Sequence, residues 1–145
     1  MPAILVLNGP NLSRLGSREP DVYGTTTWSQ LVDELESAAG SDETISVRQT
    51  NDESELIGWL HEAAVTQADV ILNPAAFSHY SYALRDAVAI VTGAGLGVVE
   101  VHISNPHARE EFRHNSVISG VATGVIAGFG VTSYHLALAA LRARR

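Results

Sequence analysis

Three observations predict a parallel α/β fold, with helices on both faces of the sheet, for this chain of 145 residues. Short apolar runs alternate with segments of helical period along the whole length. The runs are apolar almost throughout, as strands become when both faces of their sheet are covered. No internal repeat, low-complexity tract or linker interrupts them, and 46% hydrophobic residues at this length suit one domain over residues 1–145.

The elements follow in order. "AILVLN" (3–8) is the first strand, and "TTTWSQLVDELESAAG" is a helix with Thr27 and Gln30 spaced as a capping box and Gly40 as its stop. "ISVRQ" (45–49) is the second strand, and "SELIGWLHEAAVT" (54–66) a helix with Leu56, Ile57, Leu60 and Ala64 on one face. "DVILN" (69–73) is the third strand, with "YSYALRDAVAIV" (80–91) as its helix. "GVVEVH" (97–102) is the fourth, followed by a short helix opening at Asn105-Pro106. "GVATGVIAG" (120–128) is the fifth, and "VTSYHLALAALRAR" (131–144) is the last helix. Five such strands suit the flavodoxin-like order 2-1-3-4-5.

Composition removes several classes of function. A formal charge of −7 and a pI near 5.2 argue against nucleic acid as the main partner, because phosphate contacts need a basic face. The basic "RARR" at the end suits the C-terminus of a helix, where cations favour the dipole. The chain has no cysteine, which excludes disulfides, thiolate metal sites and cysteine nucleophiles. It has no lysine either, which excludes a Schiff base, a pyridoxal phosphate anchor and a Walker lysine. No apolar run reaches the roughly 18 to 20 residues that span a bilayer, and "MPAILVLNGPN" lacks the basic leader of a signal peptide. A cytoplasmic protein without membrane association is expected. His61, His107, His114 and His135 have no metal-ligand spacing, so no metal is expected.

In folds of this kind ligands bind beyond the carboxyl ends of the strands, where strand order reverses. The first strand ends in Asn8-Gly9-Pro10-Asn11, the third in Asn73-Pro74 and the fourth in Glu100-Val101-His102. Each alone is explained by turn chemistry or a structural histidine; their convergence on one rim points to a site. Glu100 and His102 are two apart on a strand and share a face. A buried carboxylate there can orient the imidazole and keep it protonated as a general acid, although a simple ion pair fits the same spacing. The amides of Ile103 and Ser104 lie just ahead of the helix at Pro106, a small anion site. Arg109 and Arg113 are four apart on that helix; one could clamp the same ligand while the other pairs with Glu110 or another acid.

The loop "RLGSREPDVYG" (14–24) holds two of the nine arginines before a tyrosine. A tyrosine ordinarily ionises at about pH 10, so a phenolate base near neutrality needs about 4 kcal/mol of stabilisation. One guanidinium at ~4 Å supplies about that much at an effective dielectric of ~20. Arginine also keeps its charge when desolvated. Arg18 would thus hold Tyr23 as tyrosinate under a mobile lid shaped by Gly16, Pro20 and Gly24. Arginine stacked on a surface tyrosine is the plainer alternative.

Together "NGPNL", "REPDVYG", "NPAAFSHYS", "EVHISN" and "AREEFR" resemble type II 3-dehydroquinate dehydratase, in order and at matching spacing from about residue 4 to residue 141. The resemblance implies a cofactor-free anti-elimination of water from 3-dehydroquinate, through an enolate, to give 3-dehydroshikimate in the shikimate pathway. By it Tyr23 takes the C2 proton, and Arg18 keeps Tyr23 ionised. Asn11 holds a water on the enolate oxygen, and His102, supported by Glu100, protonates the leaving C1 hydroxyl. The Ile103 and Ser104 amides take the substrate carboxylate, and Asn73, His79 and Arg113 bind its hydroxyls. The resemblance further implies a dodecamer of trimers in which Asp86 reaches a neighbouring site; locally, Asp86 could simply pair with Arg85. It leaves a biosynthetic and a quinate-catabolic role equally open. Departures from the family's usual pattern fall at Ser13-Arg14, which adds a lid charge, at Tyr80, expected to crowd the pocket, and at Ser54 and Ser133.

The main rival is a flavodoxin-like FMN-binding module, because "GTTT" (24–27) before a helix looks like a phosphate loop. Against it, residues 9–23 separate that loop from the first strand. A receiver domain would need clustered carboxylates after strand one and a late lysine, and "GAGLG" (93–97) leads into a strand instead of out of one. A pure interaction protein would leave the grouping of base, acid and anion site unexplained.

Overall fold

Near-continuous apolar strands require cover on two sides, and the computed structural model, which describes residues 2–145, supplies it. Strands β1 (Ala3–Asn8), β2 (Thr44–Gln49), β3 (Asp69–Asn73), β4 (Val98–His102) and β5 (Gly124–Ala127) form one parallel sheet in the order β2-β1-β3-β4-β5. Alternate residues of a strand feed opposite cores. Ile4, Val6, Ile71, Val99 and Val101 pack with Leu31 and Leu35 of α2 (Trp28–Ser37) and Leu138 and Leu141 of α5 (Thr132–Ala143). Leu5, Leu7, Val70, Leu72 and Val98 pack with Leu56 and Leu60 of α3 (Glu53–Thr66) and Leu84, Val88 and Val91 of α4 (Tyr82–Gly93). Truncating a fully buried leucine such as Leu60 would cost about 2–5 kcal/mol.

The capping box at α2 is formed: the Thr27 hydroxyl accepts from the Gln30 amide at 3.2 Å and the Gln30 side chain accepts from the Thr27 amide at 2.9 Å. The helix ends at Ser37, ahead of Gly40, whose amide instead donates to Glu43. Predicted and observed elements differ most at three places. Helix α4 begins at Tyr82 because the Ser81 hydroxyl accepts from the Leu84 amide and caps it there. Strand β5 starts at Gly124, because residues 120–123 turn, with the amides of Val121 and Ala122 bonded back to Ile118. The helix expected after Asn105 is two separate 3₁₀ turns, Pro106–Ala108 and Glu111–His114, so Arg109 and Arg113 share no helix face. The sequence reading also passed over α1 (Pro20–Tyr23) and the 3₁₀ turns Leu12–Arg14 and Ala75–His79.

The C-terminal end of α5 is tied down by charge. Glu43 accepts from Arg142 and Arg145, and the Arg142 hydrogen bonds outweigh burial to hold its carboxyl down at about 2. Among the described residues no helix is long and apolar enough to cross a membrane.

Candidate active site

At the point where strand order reverses, the ends of β1 and β3 touch. The Gly9 amide donates to the Asn73 carbonyl at 2.8 Å, and a Cβ on Gly9 would lie 2.7 Å from the Pro74 oxygen, so only glycine allows this approach. Beyond it Asn11 and Ala75 both adopt positive φ, 71° and 52°. These two loops, the end of β4 and the lid enclose a cavity of about 210 Å³. Of the residues singled out in the sequence, Asn11, Arg18, Tyr23, Asn73, His79, His102, Ile103, Ser104 and Arg113 all line it. A wider hollow of about 570 Å³ lies between the lid helix and the loop entering α5, and Tyr23, Ile103, Ser104 and Arg109 line both.

The period-two spacing on β4 gives the expected pair. His102 Nε2 lies 2.5 Å from Glu100 Oε2, and the Glu100 carboxylate also accepts from Ser116 at 3.0 Å and from Ser119 at 2.7 Å. Burial pushes the Glu100 carboxyl up, but the His102 and serine hydrogen bonds outweigh it and hold it below the usual carboxylate value. Glu100 is therefore an ionised anchor behind the cavity. With Nε2 engaged, Nδ1 of His102 is the ring nitrogen left for a ligand.

Across the cavity the lid carries Tyr23 on α1. The Arg18 guanidinium lies over its ring, 4.6 Å from the centroid, and that of Arg109 lies 5.1 Å from the same centroid. Arg109 also donates to the Ser104 hydroxyl at 3.1 Å. With Arg113 this makes three guanidiniums on the cavity wall, which favour an anionic ligand. Among the described residues the Ile103 and Ser104 amides have no acceptor, so both are free to donate to such an anion. His79 is fixed by the Asn115 carbonyl at 2.8 Å from Nδ1 and by the edge of Phe112. Asn73 donates to the Tyr134 hydroxyl at 3.0 Å and accepts from the Ala75 amide at 3.1 Å.

Other residues fall elsewhere. Asp86 is exposed on α4 and pairs with Arg85 at 3.2 Å, outside the cavity of its own chain. Tyr80 points away, 60% exposed and edge-on to Phe77, so it does not crowd the pocket. The exposed Arg14 side chain lines neither hollow, and its carbonyl instead takes the Ser17 and Arg18 amides. The Ser54 amide donates to Asp52 in the first turn of α3, and Ser133 is buried, accepting from the Phe129 amide. The "GTTT" loop spends its Thr27 hydroxyl on the α2 cap. Among the described residues no three His, Asp or Glu side chains gather as metal ligands. The sequence reading left open whether Arg109 or Arg113 faces the ligand, did not link Arg109 to Tyr23, and missed Ser116, Ser119 and Tyr134.

Comparison with known proteins bears on this arrangement directly. The sequence profile of the family described as "Dehydroquinase class II" matches residues 2–142. The chain belongs to that family. Among dehydroquinases similar to it, the 3-dehydroquinate dehydratase of Salinispora tropica is 60% identical over 143 residues, covering 97% of each chain. That of Bacillus licheniformis is 57% identical, over 95% of this chain and 94% of the relative. The crystal structure of type II dehydroquinase from Propionibacterium acnes superposes with a TM-score of 0.92 at 49% identity, covering 97% of this chain and 96% of the other. The five-stranded order is thus that of a dehydroquinase fold.

Proposed function

We propose that the cavity eliminates water from 3-dehydroquinate to give 3-dehydroshikimate, with Tyr23 as base and His102 as acid. The observation that carries this reading is one cavity holding a tyrosine beneath two guanidiniums and a histidine backed by an ionised, buried carboxylate. Arg18 and Arg109 favour the phenolate by charge, and desolvation under the lid strengthens their effect. The phenolate takes the proton at C2, next to the ketone, and the electron pair moves into an enolate. Asn11 holds a water against the enolate oxygen. The C1–O bond then breaks, and its oxygen leaves with the proton from His102 Nδ1 as water. Tyr23 ends protonated and His102 neutral, and one proton transfer from tyrosine to histidine restores both.

Glu100 keeps Nε2 engaged, so the imidazolium delivers its proton only from the cavity side. The Ile103 and Ser104 amides receive the substrate carboxylate, and Asn73, His79 and Arg113 bind its hydroxyls. The scheme uses side chains, two backbone amides and one water, and calls for no cofactor. Asp86, facing outward, completes the site of a neighbouring subunit in a dodecamer, and the enzyme works in the cytoplasm. Adding 3-dehydroquinate to the purified protein and following the ultraviolet absorbance of the conjugated enone tests the reaction. His102→Ala should lower that rate by about 10²–10³; undiminished elimination would remove its role.

A further inference from the structure

Tyr134 has no solvent exposure and lies on α5, outside the cavity, yet its hydroxyl joins the two strand ends that form the cavity floor. It donates to Asn8 Oδ1 at 2.6 Å and accepts from Asn73 Nδ2 at 3.0 Å. The chain of hydrogen bonds continues at both ends into the backbone: Asn8 Nδ2 donates to the Arg48 carbonyl at 3.1 Å, and Asn73 Oδ1 accepts from the Ala75 amide at 3.1 Å. A carbonyl can only accept and an amide N–H can only donate, so the two anchors set the direction of every bond between them. Asn8 must turn its oxygen to Tyr134, Tyr134 must donate to Asn8, and Asn73 must give Tyr134 one of its two N–H donors. Among the described residues the second Nδ2 hydrogen then has no partner, and Asn73 lines the cavity. Reversing the amide would set its oxygen against the Tyr134 oxygen and its NH₂ against the Ala75 amide, leaving two buried clashes of like polarity. Burial also pushes the Tyr134 hydroxyl far above the ordinary tyrosine range, so it remains a donor at every working pH.

We infer that Tyr134 is a positioning residue that locks the Asn73 amide with an N–H donor toward the cavity, so that the site selects a ligand presenting an acceptor oxygen there. The inference rests on the reading that Asn73 touches the substrate, and the two are separated by kinetics on three variants. Tyr134→Phe should raise KM for 3-dehydroquinate about tenfold while kcat stays within about threefold, because the contact holds substrate and transition state alike. Asn73→Ala should raise KM at least as much, and adding Tyr134→Phe to it should change KM less than about twofold, since the two act through one contact.

A wild-type KM in Tyr134→Phe beside a raised KM in Asn73→Ala would overturn the inference and keep the substrate contact. An unchanged KM in Asn73→Ala would overturn both. Additive effects in the double variant would also overturn the inference, since Tyr134 would then act through other groups. If Tyr134→Phe does not fold, Asn8→Ala decides, because it keeps the buried ring and removes the acceptor that directs its hydroxyl. A severalfold rise in KM supports the lock, and a wild-type KM overturns it.

Discussion

Tyr23 and Tyr134 stand on opposite sides of the same chemistry. Tyr23 is half-buried on a four-residue helix, in a lid rich in exposed polar residues, with two guanidiniums over its ring. Tyr134 is wholly buried in a twelve-residue helix, and its hydroxyl is committed to two asparagine amides. Burial without a cation pushes Tyr134 strongly toward the neutral phenol. Tyr23 instead has two cations beside a ring that keeps contact with solvent. On the proposed reading one side chain serves as a base and the other as a spacer, and their surroundings differ in kind: guanidiniums over a half-buried ring, and full burial among amides. Tyr23 lies on the cavity lining in a short loop helix, whereas Tyr134 is packed into the core between α5 and the sheet.

The sharpest way to break this contrast is Tyr23→Phe, which should cut kcat by about 10³ while leaving the thermal midpoint unchanged. Near-normal turnover would mean that Tyr23 is no base. Next come the guanidiniums. Arg18→Ala and Arg109→Ala should each lower kcat/KM by about 10². Equal losses would make the two cations partners on one phenolate, and an effect confined to Arg18 would leave Arg109 to Ser104 alone.

A smaller effect is expected behind the acid. Glu100 is held below its usual value in the folded chain, so its stabilising contribution is present above the unfolded carboxylate value of about 4 and is lost as pH falls through the lower folded value. Ser119→Ala removes a 2.7 Å hydrogen bond from that carboxylate and should raise its folded value. The acid limb of the kcat profile should then move to higher pH, with turnover at neutrality kept within about twofold because Glu100 stays ionised there. An unmoved limb would show that His102 and Ser116 hold Glu100 without Ser119.

The smallest effect lies far from either tyrosine. Glu43, depressed to about 2 by its arginines, adds stability that is complete above about pH 5 and fades toward pH 2. Glu43→Gln should lower unfolding free energy by about 1 kcal/mol at neutral pH, discounted because both arginines face solvent. Denaturant midpoints of variant and parent should converge as the pH falls, with turnover unaffected throughout.

Local spacing was the readable part of this protein. The period of two placed Glu100 and His102 on one face, the Thr27–Gln30 interval gave the cap, and the alternation of runs gave the strands and helices, because each rests on backbone geometry within a few residues; the strand order followed from the fold class those elements suit. The same reasoning failed at Arg109 and Arg113, where a helical interval was assumed and two 3₁₀ turns were found. It also misplaced Tyr80, whose direction depends on how the turn before α4 closes.

What tertiary structure alone decided is the meeting of groups distant in the chain. Tyr134 and Asn8 are 126 residues apart and Tyr134 and Asn73 are 61 apart, yet one hydroxyl joins all three. Arg109 reaches the Tyr23 ring from another loop. Such contacts leave no periodic trace, because they are fixed by how α5 and the lid pack across the sheet and not by the conformation of any one segment. The sequence thus determined which groups the rim offers, and packing determined which of them touch.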